Sequence, residues 1–154
     1  MERDKDYVLS LGADIAIDFQ NEDVYGRIKE ETDGKGLDYA LSSIGVQGAT
    51  RDLEALRFGG ELAITAGLPD FAGWKFYDRS ITLHEIAFGG YLTAQDMELQ
   101  KVPAQVGEAL AKMVNSGEIH TPQCRALNLE EVPDGLRLIK AGEVTGKLIV
   151  KVNG

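Results

Sequence analysis

The sequence predicts an α/β protein built around a doubly wound, mostly parallel β-sheet. Apolar runs of strand length alternate with segments of helical periodicity, and the connections between them are short. Such short strand–helix–strand connections favour right-handed crossovers and parallel strands. The predicted strands are also apolar on both faces, which is typical of a sheet that helices cover on each side. We therefore expect one α/β domain over residues 1–154.

Glycines and apolar runs define the elements of the first part of the chain. Apolar positions at helical spacing stop at Gly12, which predicts a helix over 4–11. The run at 14–19 is rich in β-branched residues and predicts a strand. Asn21 is expected to cap the helix that follows, and the apolar run over 37–44 predicts the next strand.

The middle of the chain continues the alternation. A helix that carries Leu53 and Leu56 on one face is expected to end at the Phe-Gly-Gly string 58–60. Two further apolar runs, over 61–66 and 81–88, predict strands of the same sheet.

The last third of the chain is predicted to begin with the longest helix, over 94–116. Pro103 marks a break or a restart in this helix, because proline removes a backbone donor. A short strand is predicted over 126–129 and a helix over 131–141. The alternating run at 147–152 predicts the last strand.

The charge balance and the cysteine count limit the classes of partner. The chain has a formal net charge of -9, which disfavours binding to nucleic acid or to an anionic membrane. Cys124 is the only cysteine, so we expect neither an internal disulfide nor zinc bound by this chain. No apolar run approaches the roughly 20 residues that span a bilayer, and the charged N-terminus does not resemble a secretory signal. The expected location is the cytoplasm.

Five sequence strings resemble, in order and at similar spacing, those of one protein family. They lie at 7–19 (YVLSLGAD and IDF), 32–38 (TDGKGLD), 43–45 (SIG), 56–60 (LRFGG) and 145–150 (TGKLIV). The family is that of the medium-chain dehydrogenases and reductases, which includes zinc-binding alcohol dehydrogenases and quinone oxidoreductases. The resemblance implies an NAD(P)H-dependent oxidoreductase and a Rossmann-like sheet, of which this chain carries the C-terminal portion.

The same resemblance implies that part of the family's fold lies outside these residues. The family's cofactor domain begins with a strand, a Gly-rich turn, a helix and a second strand, and a catalytic domain precedes it. The one G-x-G string here, Gly34-Lys35-Gly36, leads from a helix into a strand, so we expect a connecting turn rather than a phosphate loop. The sheet is therefore expected to lack its first strand–helix–strand unit. We expect little or no turnover unless a partner chain supplies the missing parts.

The resemblance assigns the nicotinamide and its ribose to loops at the C-terminal ends of the strands, where open α/β sheets bind ligands. The assigned residues are Ser42, Ser43, Ile44 and Gly45 after one strand, Ala66, Gly67 and Leu68 after the next, and Phe88, Gly89 and Gly90 after the last. The alternative for each glycine is that it only permits a tight turn. Catalytic residues stay unassigned, because the sequence has no nucleophile motif, metal cluster or carboxylate pair.

The adenosine end of the cofactor is assigned by comparison with NADPH-using relatives. In these relatives a basic residue follows the second strand of the complete cofactor domain, and an aromatic residue follows the third. Arg3 and Lys5 flank the basic position, and Phe19 replaces the usual Tyr. NADP(H) is therefore expected ahead of NAD(H), although Arg3 and Lys5 also fit an exposed terminus.

Two functional hypotheses from different classes follow. The first is hydride transfer to or from a carbonyl, an alcohol or an activated alkene such as a quinone or enone. The second is a non-catalytic remnant that dimerises or binds a partner through exposed sheet edges. A truncated form of a longer enzyme is a third reading. In the family, the strand at 81–88 commonly pairs with the same strand of a second copy, so a homodimer suits both hypotheses.

Three aromatic residues precede this strand: Trp74, Phe76 and Tyr77. They either line a substrate pocket or cover apolar surface.

Overall fold

The computed structural model describes residues 2–75 and 77–152, with side chains from residue 5 onwards. Within these ranges the helices are α1 (Glu2–Ser10), α2 (Val24–Glu31), α3 (Val46–Ala55), α4 (Gly90–Thr93), α5 (Met97–Gln100), α6 (Val102–Ser116) and α7 (Val132–Lys140). The strands are β1 (Leu37–Ser42), β2 (Leu56–Ile64), β3 (Thr82–Glu85), β4 (Cys124–Leu127) and β5 (Lys147–Val150). A 3-10 turn, Leu129–Glu131, precedes α7.

The chain divides into two compact units, one up to Pro103 and one from Ala104. In the first unit β1, β2 and β3 form a parallel sheet in that order. In the second unit β4 and β5 pair in parallel. The predicted α/β class with parallel strands is therefore confirmed, and the strands fall into two sheets rather than one.

Helix α3 packs on one face of the three-stranded sheet, which we call the covered face. Ala49 and Leu53 of α3 are fully buried there, together with Leu56, Leu62 and Ile64 of β2. Each large aliphatic side chain buried in this way contributes about 1.5–3 kcal/mol relative to exposure. Partly buried residues around this cluster are Leu37, Ala40, Phe71, Trp74 and Ile81.

The other face of the same sheet, the open face, presents alternate residues of the strands because successive side chains point to opposite sides. Tyr39 and Leu41 of β1 are 75% and 68% exposed on it. Their in-register partners on β2 are Glu61 and Ala63. The strands thus have apolar side chains on both faces, as predicted, but only one face is buried.

The strand predicted over 14–19 is wrong. This segment pairs with no described strand, and its polar groups bond locally: Asp18 N donates to Glu22 Oε1 at 2.9 Å. A β-branched run becomes a strand only when a neighbour pairs with its backbone. The predicted cap is also wrong, because α2 begins after Asp23 and the Asn21 side chain instead donates to Asp18 Oδ2.

The boundary between α3 and β2 also differs from the prediction. Helix α3 ends at Ala55, and β2 begins at Leu56, so the Phe-Gly-Gly string 58–60 lies inside a strand. The register of β1 against β2 shifts between Leu37 and Tyr39. A Cβ on Gly60 would lie 2.8 Å from the Leu37 carbonyl oxygen, so this glycine permits a close approach of two strands.

The remaining predictions are confirmed with shifted ends. The break expected at Pro103 is present, since α5 ends at Gln100 and α6 begins at Val102. Strand β3 stops at Glu85 rather than Phe88. Helix α7 and strands β4 and β5 occupy the regions predicted for them near the C-terminus.

Candidate functional site

The C-terminal ends of β1, β2 and β3 leave one edge of the sheet together. Thr65 N donates to the Ser42 carbonyl oxygen at 3.0 Å, and Ile86 N donates to that of Ile64 at 2.8 Å. These bonds extend the pairing beyond the strands, so the three loops assigned from the sequence begin side by side. This is the edge at which open α/β sheets bind ligands.

Two glycines bring the loops after β1 and β2 into contact. Gly45 immediately precedes α3 with φ +96, and Gly67 has φ +83, a conformation that side chains disfavour. A Cβ on Gly67 would lie 3.1 Å from Val46 N and 3.2 Å from Val46 Cγ2. Gly67 therefore has a structural reason to be glycine, since it supplies a turn conformation and a close approach to Val46. Its assignment to the nicotinamide stays a prediction.

A cleft of about 180 Å³ opens between the loops after β2 and β3. It is lined by Thr65, Ala66, Gly67 and Leu68 on one side and by Glu85, Ile86 and Ala87 on the other. Of the assigned residues it contains Ala66, Gly67 and Leu68. Glu85 was not assigned, because the strand was predicted to run on to 88; its position at the true end of β3 is what brings it to the cleft.

A second cleft, of about 240 Å³, lies beside the segment that follows β3, and its lining includes Glu85 and Gly90. The Phe88 and Tyr91 rings meet edge to face, with centroids 6.2 Å apart. Gly89 precedes α4 directly. These residues are therefore close to β3, but of the three only Gly90 lines a described cleft.

The residues assigned after β1 differ in accessibility. Ser42 is 2% exposed on the covered face, and its Oγ has no hydrogen-bond partner among the described residues. Its carbonyl oxygen accepts the bond from Thr65 N, and its burial keeps the side chain away from solvent. Ser43 is exposed, and Ile44 is 78% exposed. Ser43 and Ile44 are thus the side chains of this loop that a ligand can reach.

The residues assigned to the adenosine end are only partly available. Phe19 is 78% exposed. Lys5 Nζ pairs with Glu22, and the hydrogen bond from Lys5, followed by that from Asp18 N, lowers the pKa of Glu22. The side chain of Arg3 lies outside the described residues, as does Phe76, which was expected either to line a substrate pocket or to cover apolar surface.

The G-x-G string forms a connecting turn, as expected. Gly34 N donates to the Lys29 carbonyl oxygen, Lys35 N to that of Thr32, and Gly36 N to Thr32 Oγ1. Since these amides are used within the turn, they are not available to a phosphate. Within the described ranges, no three His, Cys, Asp or Glu side chains are placed to hold a metal ion. None of the described helices is long and apolar enough to cross a membrane.

A family model described as "Zinc-binding dehydrogenase" matches residues 11–150. The chain belongs to this family. Among curated proteins it is similar to one component of the phenolphthiocerol/phthiocerol polyketide synthase of Mycobacterium tuberculosis, with 27% identity over 147 residues, 92% of this chain and 6% of that protein. A mycocerosic acid synthase-like polyketide synthase of Mycolicibacterium smegmatis is 27% identical over 131 residues, 82% of this chain and 6% of that protein. The chain thus spans a small part of these relatives.

Solved structures of the same fold cover nearly all of this chain. A quinone oxidoreductase of Pseudomonas syringae pv. tomato superposes with a TM-score of 0.71 at 20% identity, over 99% of this chain and 47% of its own. The CurK enoyl reductase gives 0.74 at 18% identity, over 99% and 46%. An alcohol dehydrogenase of Aeropyrum pernix gives 0.71 at 21% identity, over 99% and 41%. These likenesses confirm the partial Rossmann-like fold, and the chain spans less than half of each structure.

Proposed function

We propose that this chain forms the nicotinamide-side half of an NAD(P)H-dependent oxidoreductase. The observation that carries the proposal is the contact of the Gly45 and Gly67 loops at the C-terminal edge of the sheet, beside the cleft between β2 and β3. Membership of the zinc-binding dehydrogenase family supports it. The reaction is hydride transfer to or from a carbonyl, an alcohol or an activated alkene.

The residues at this edge fit the nicotinamide and its ribose. A side chain on Gly67 would crowd Val46. With glycine at this position, backbone groups form the surface that a flat ring would approach. Helix α3 begins there directly after Gly45, which offers no side-chain cap, and the first N–H groups of a helix lack intrahelical partners. Those N–H groups and the partial positive charge of the helix start suit carbonyl and hydroxyl oxygens. The described residues do not offer an equivalent cradle for the pyrophosphate.

The cofactor supplies the hydride chemistry when bound, while the protein positions it and shapes its surroundings. In this chain the loops 43–45 and 65–68 would hold the nicotinamide and its ribose at the C-terminal edge of the sheet, and the loop after β3 would form the other side of the cleft. A hydride added to carbon must be matched by a proton on the neighbouring atom. We assign no proton donor in this chain and place that group, with the substrate pocket and the pyrophosphate site, on a segment outside these residues.

We propose NADP(H) ahead of NAD(H). Phe19 is exposed and can pack on the adenine that both cofactors share, but it has no hydroxyl to donate to a 2′-phosphate. Lys5 contributes nothing to a 2′-phosphate while it is paired with Glu22, so the preference rests on the family resemblance at Arg3. A cytoplasmic location, expected from the sequence, belongs to the same proposal.

The test is a calorimetric titration of the purified chain with NADPH and then NADH, after its mass in solution has been measured. Saturable heat is expected with NADPH, at an affinity well below that of a complete dinucleotide fold because the pyrophosphate contacts are absent. A folded sample that gives no heat with either nucleotide would show that this chain does not bind the cofactor by itself.

Exposed apolar residues favour a second candidate function, association with a copy or a partner chain. Tyr39, Leu41 and Phe58 are 66–75% exposed, and all four residues of the edge strand β3 are exposed. We propose a homodimer through β3, which also suits the oxidoreductase. An oligomer that binds no nicotinamide nucleotide would favour the interaction role alone.

A further inference from the structure

A third cleft, of about 320 Å³, lies at the opposite, N-terminal end of the strands. It is bounded by the end of α2, the turn 34–36, the end of α3 and the start of β2. Its charged lining residues are Lys29, Lys35, Arg51 and Arg79, against the single carboxylate of Glu54. In a chain with net charge -9, this is a local excess of positive charge.

Three of the four cationic groups of this cleft have no carboxylate partner within the described part of the chain, and an aromatic ring holds Arg51 in place. The Arg51 guanidinium lies 4.1 Å from the centroid of the Tyr25 ring, and the Tyr25 hydroxyl donates to Asp52 Oδ1 at 2.8 Å. This cation–π contact orients the arginine without cancelling its charge. Among the described side chains, no carboxylate oxygen lies within 4.0 Å of Lys29, Arg51 or Arg79.

The size of the charge excess limits the ligand. Asp33 lies 3.9 Å from Lys35 and offsets it. Helices α2 and α3 both end at the cleft, and each C-terminus adds about half a negative charge. Asp52 is also near, bonded to the Tyr25 hydroxyl. After these terms the excess is at most roughly one positive charge, which is too small for a polyphosphate and limits the ligand to a single phosphate group.

An aromatic groove of about 310 Å³ adjoins the basic cleft, because Arg79 lines both. Arg79 Nη1 donates to the Glu54 carbonyl oxygen at 3.0 Å, and its guanidinium lies 5.6 Å from the Trp74 ring. Tyr77 also lines the groove, with its side chain fully exposed and φ at +76. A bulky residue in this conformation is strained, and such strain persists mainly at functional sites.

We propose that the cleft and the groove together bind a phosphate monoester that carries a planar aromatic ring, such as a purine mononucleotide. The phosphate lies on Arg51 and Arg79, and the ring lies against Trp74 and Tyr77. Guanidinium groups suit phosphate oxygens, and aromatic side chains stack on bases. This site is separate from the proposed nicotinamide site, which lies at the other end of the strands and shares no lining residue with it.

The test titrates the full chain with adenosine 5′-monophosphate, adenosine and inorganic phosphate. We expect saturable binding of the nucleotide and at least tenfold weaker binding of either part. Arg51→Gln and Tyr77→Ala each remove an exposed group, and each should lower the nucleotide affinity about tenfold. Lys112→Gln, which removes an exposed charge from α6, and Phe19→Ala, which removes an exposed aromatic ring at the adenosine end of the cofactor site, should leave it unchanged.

The proposal would be overturned if the nucleotide showed no saturable binding, or if it bound no more tightly than inorganic phosphate. An equal loss of nucleotide affinity in Lys112→Gln would also overturn it. A loss of nucleotide affinity in Phe19→Ala would place the nucleotide at the cofactor site instead. Circular dichroism and the unfolding midpoint check that each variant folds. Titration of Arg51→Gln with NADPH separates the two proposals, since the NADPH affinity should not change.

Discussion

The two faces of the three-stranded sheet come from the same strands but have different surroundings. On the covered face, Leu53 of α3 packs with Leu62 and Ile64 of β2, all at 0–2% exposure. On the open face, Tyr39 and Leu41 remain mostly exposed. Strands with apolar residues on both sides are typical of sheets that are buried on both sides. The open face therefore has the composition of a buried surface.

Because of this difference, the covered face determines the stability of the fold and the open face is where association with other chains is expected. The covered face supplies the core of the first unit, so changes there act on folding. The open face and the outer edge of β1 add little to that core, and exposed strands and apolar patches are where other chains attach. Matched variants on the two faces should therefore differ in kind. Those on the covered face should change the free energy of unfolding, and those on the open face should change association with other chains.

The largest expected effect is that of Leu53→Ala on the covered face. Leu53 is fully buried, and truncation of a buried leucine lowers the free energy of unfolding by about 2–5 kcal/mol. The control is Leu41→Ala on the open face, 68% exposed, which should change it by less than about 0.5 kcal/mol. Urea denaturation of both variants measures the contrast. Similar losses would mean that the open face is also buried in solution.

The next largest effect concerns Gly67, which lies in the loop after β2 at the C-terminal edge of the sheet, where the candidate site is. Gly67→Ala should cost about 1–2 kcal/mol for its left-handed backbone, and more because the new Cβ would meet Val46. Gly73→Ala is the matched control, since Gly73 has φ +84 and nothing within 4 Å of its Cβ position. Only Gly67→Ala should also weaken NADPH binding in calorimetry. Equal NADPH affinities in the two variants would remove Gly67 from the cofactor site.

Local signals in the sequence predicted the fold class and most elements, because glycines and apolar periodicity act within a few residues. The strand at 14–19 was predicted wrongly, since its existence depends on a neighbouring strand rather than on its own β-branched residues. The start of β2 at Leu56 was also missed. The glycines at 59 and 60 indicated a helix end, whereas they permit the irregular pairing with Leu37.

The candidate site could be predicted in part for the same reason. The rule for strand C-terminal ends located the loops at 43–45 and 66–68, and the structure brings these loops into contact. Glu85 was missed because the length of β3 is set by pairing with β2, which ends near the bond from Ile86 N to the Ile64 carbonyl oxygen. The basic cleft combines residues from four separate segments of the chain, so no local sequence motif could predict it.

A smaller effect is expected for the bond between Tyr25 of α2 and Asp52 of α3, on the helical side of the sheet. Burial, followed by this hydrogen bond, raises the pKa of Tyr25 to about 12. Tyrosines of an unfolded chain titrate near 10, so the protonated hydroxyl stabilises the fold below about pH 10. This contribution is lost as the pH rises towards 12.

Tyr25→Phe tests this bond. It should lower the free energy of unfolding at neutral pH by about 0.5–1.5 kcal/mol and flatten its decline in the alkaline range. Tyr39→Phe on the open face, where the ring is 75% exposed, is the matched control and should do neither. Urea denaturation at a series of pH values measures both. An unchanged alkaline decline in Tyr25→Phe would assign that decline to other groups.

The smallest expected effect belongs to the open face, where His84 Nε2 lies 2.8 Å from Glu61 Oε2 with side chains 51% and 38% exposed. A double-mutant cycle with His84→Gln and Glu61→Gln should give a coupling of about 0.2–0.5 kcal/mol, the range of an exposed pair. Added salt should reduce this coupling, because water reaches both groups. A coupling well above 1 kcal/mol that salt leaves unchanged would mean that the pair is desolvated. The open face would then be covered in solution, and repeating the cycle at increasing dilution would tell whether a second chain covers it.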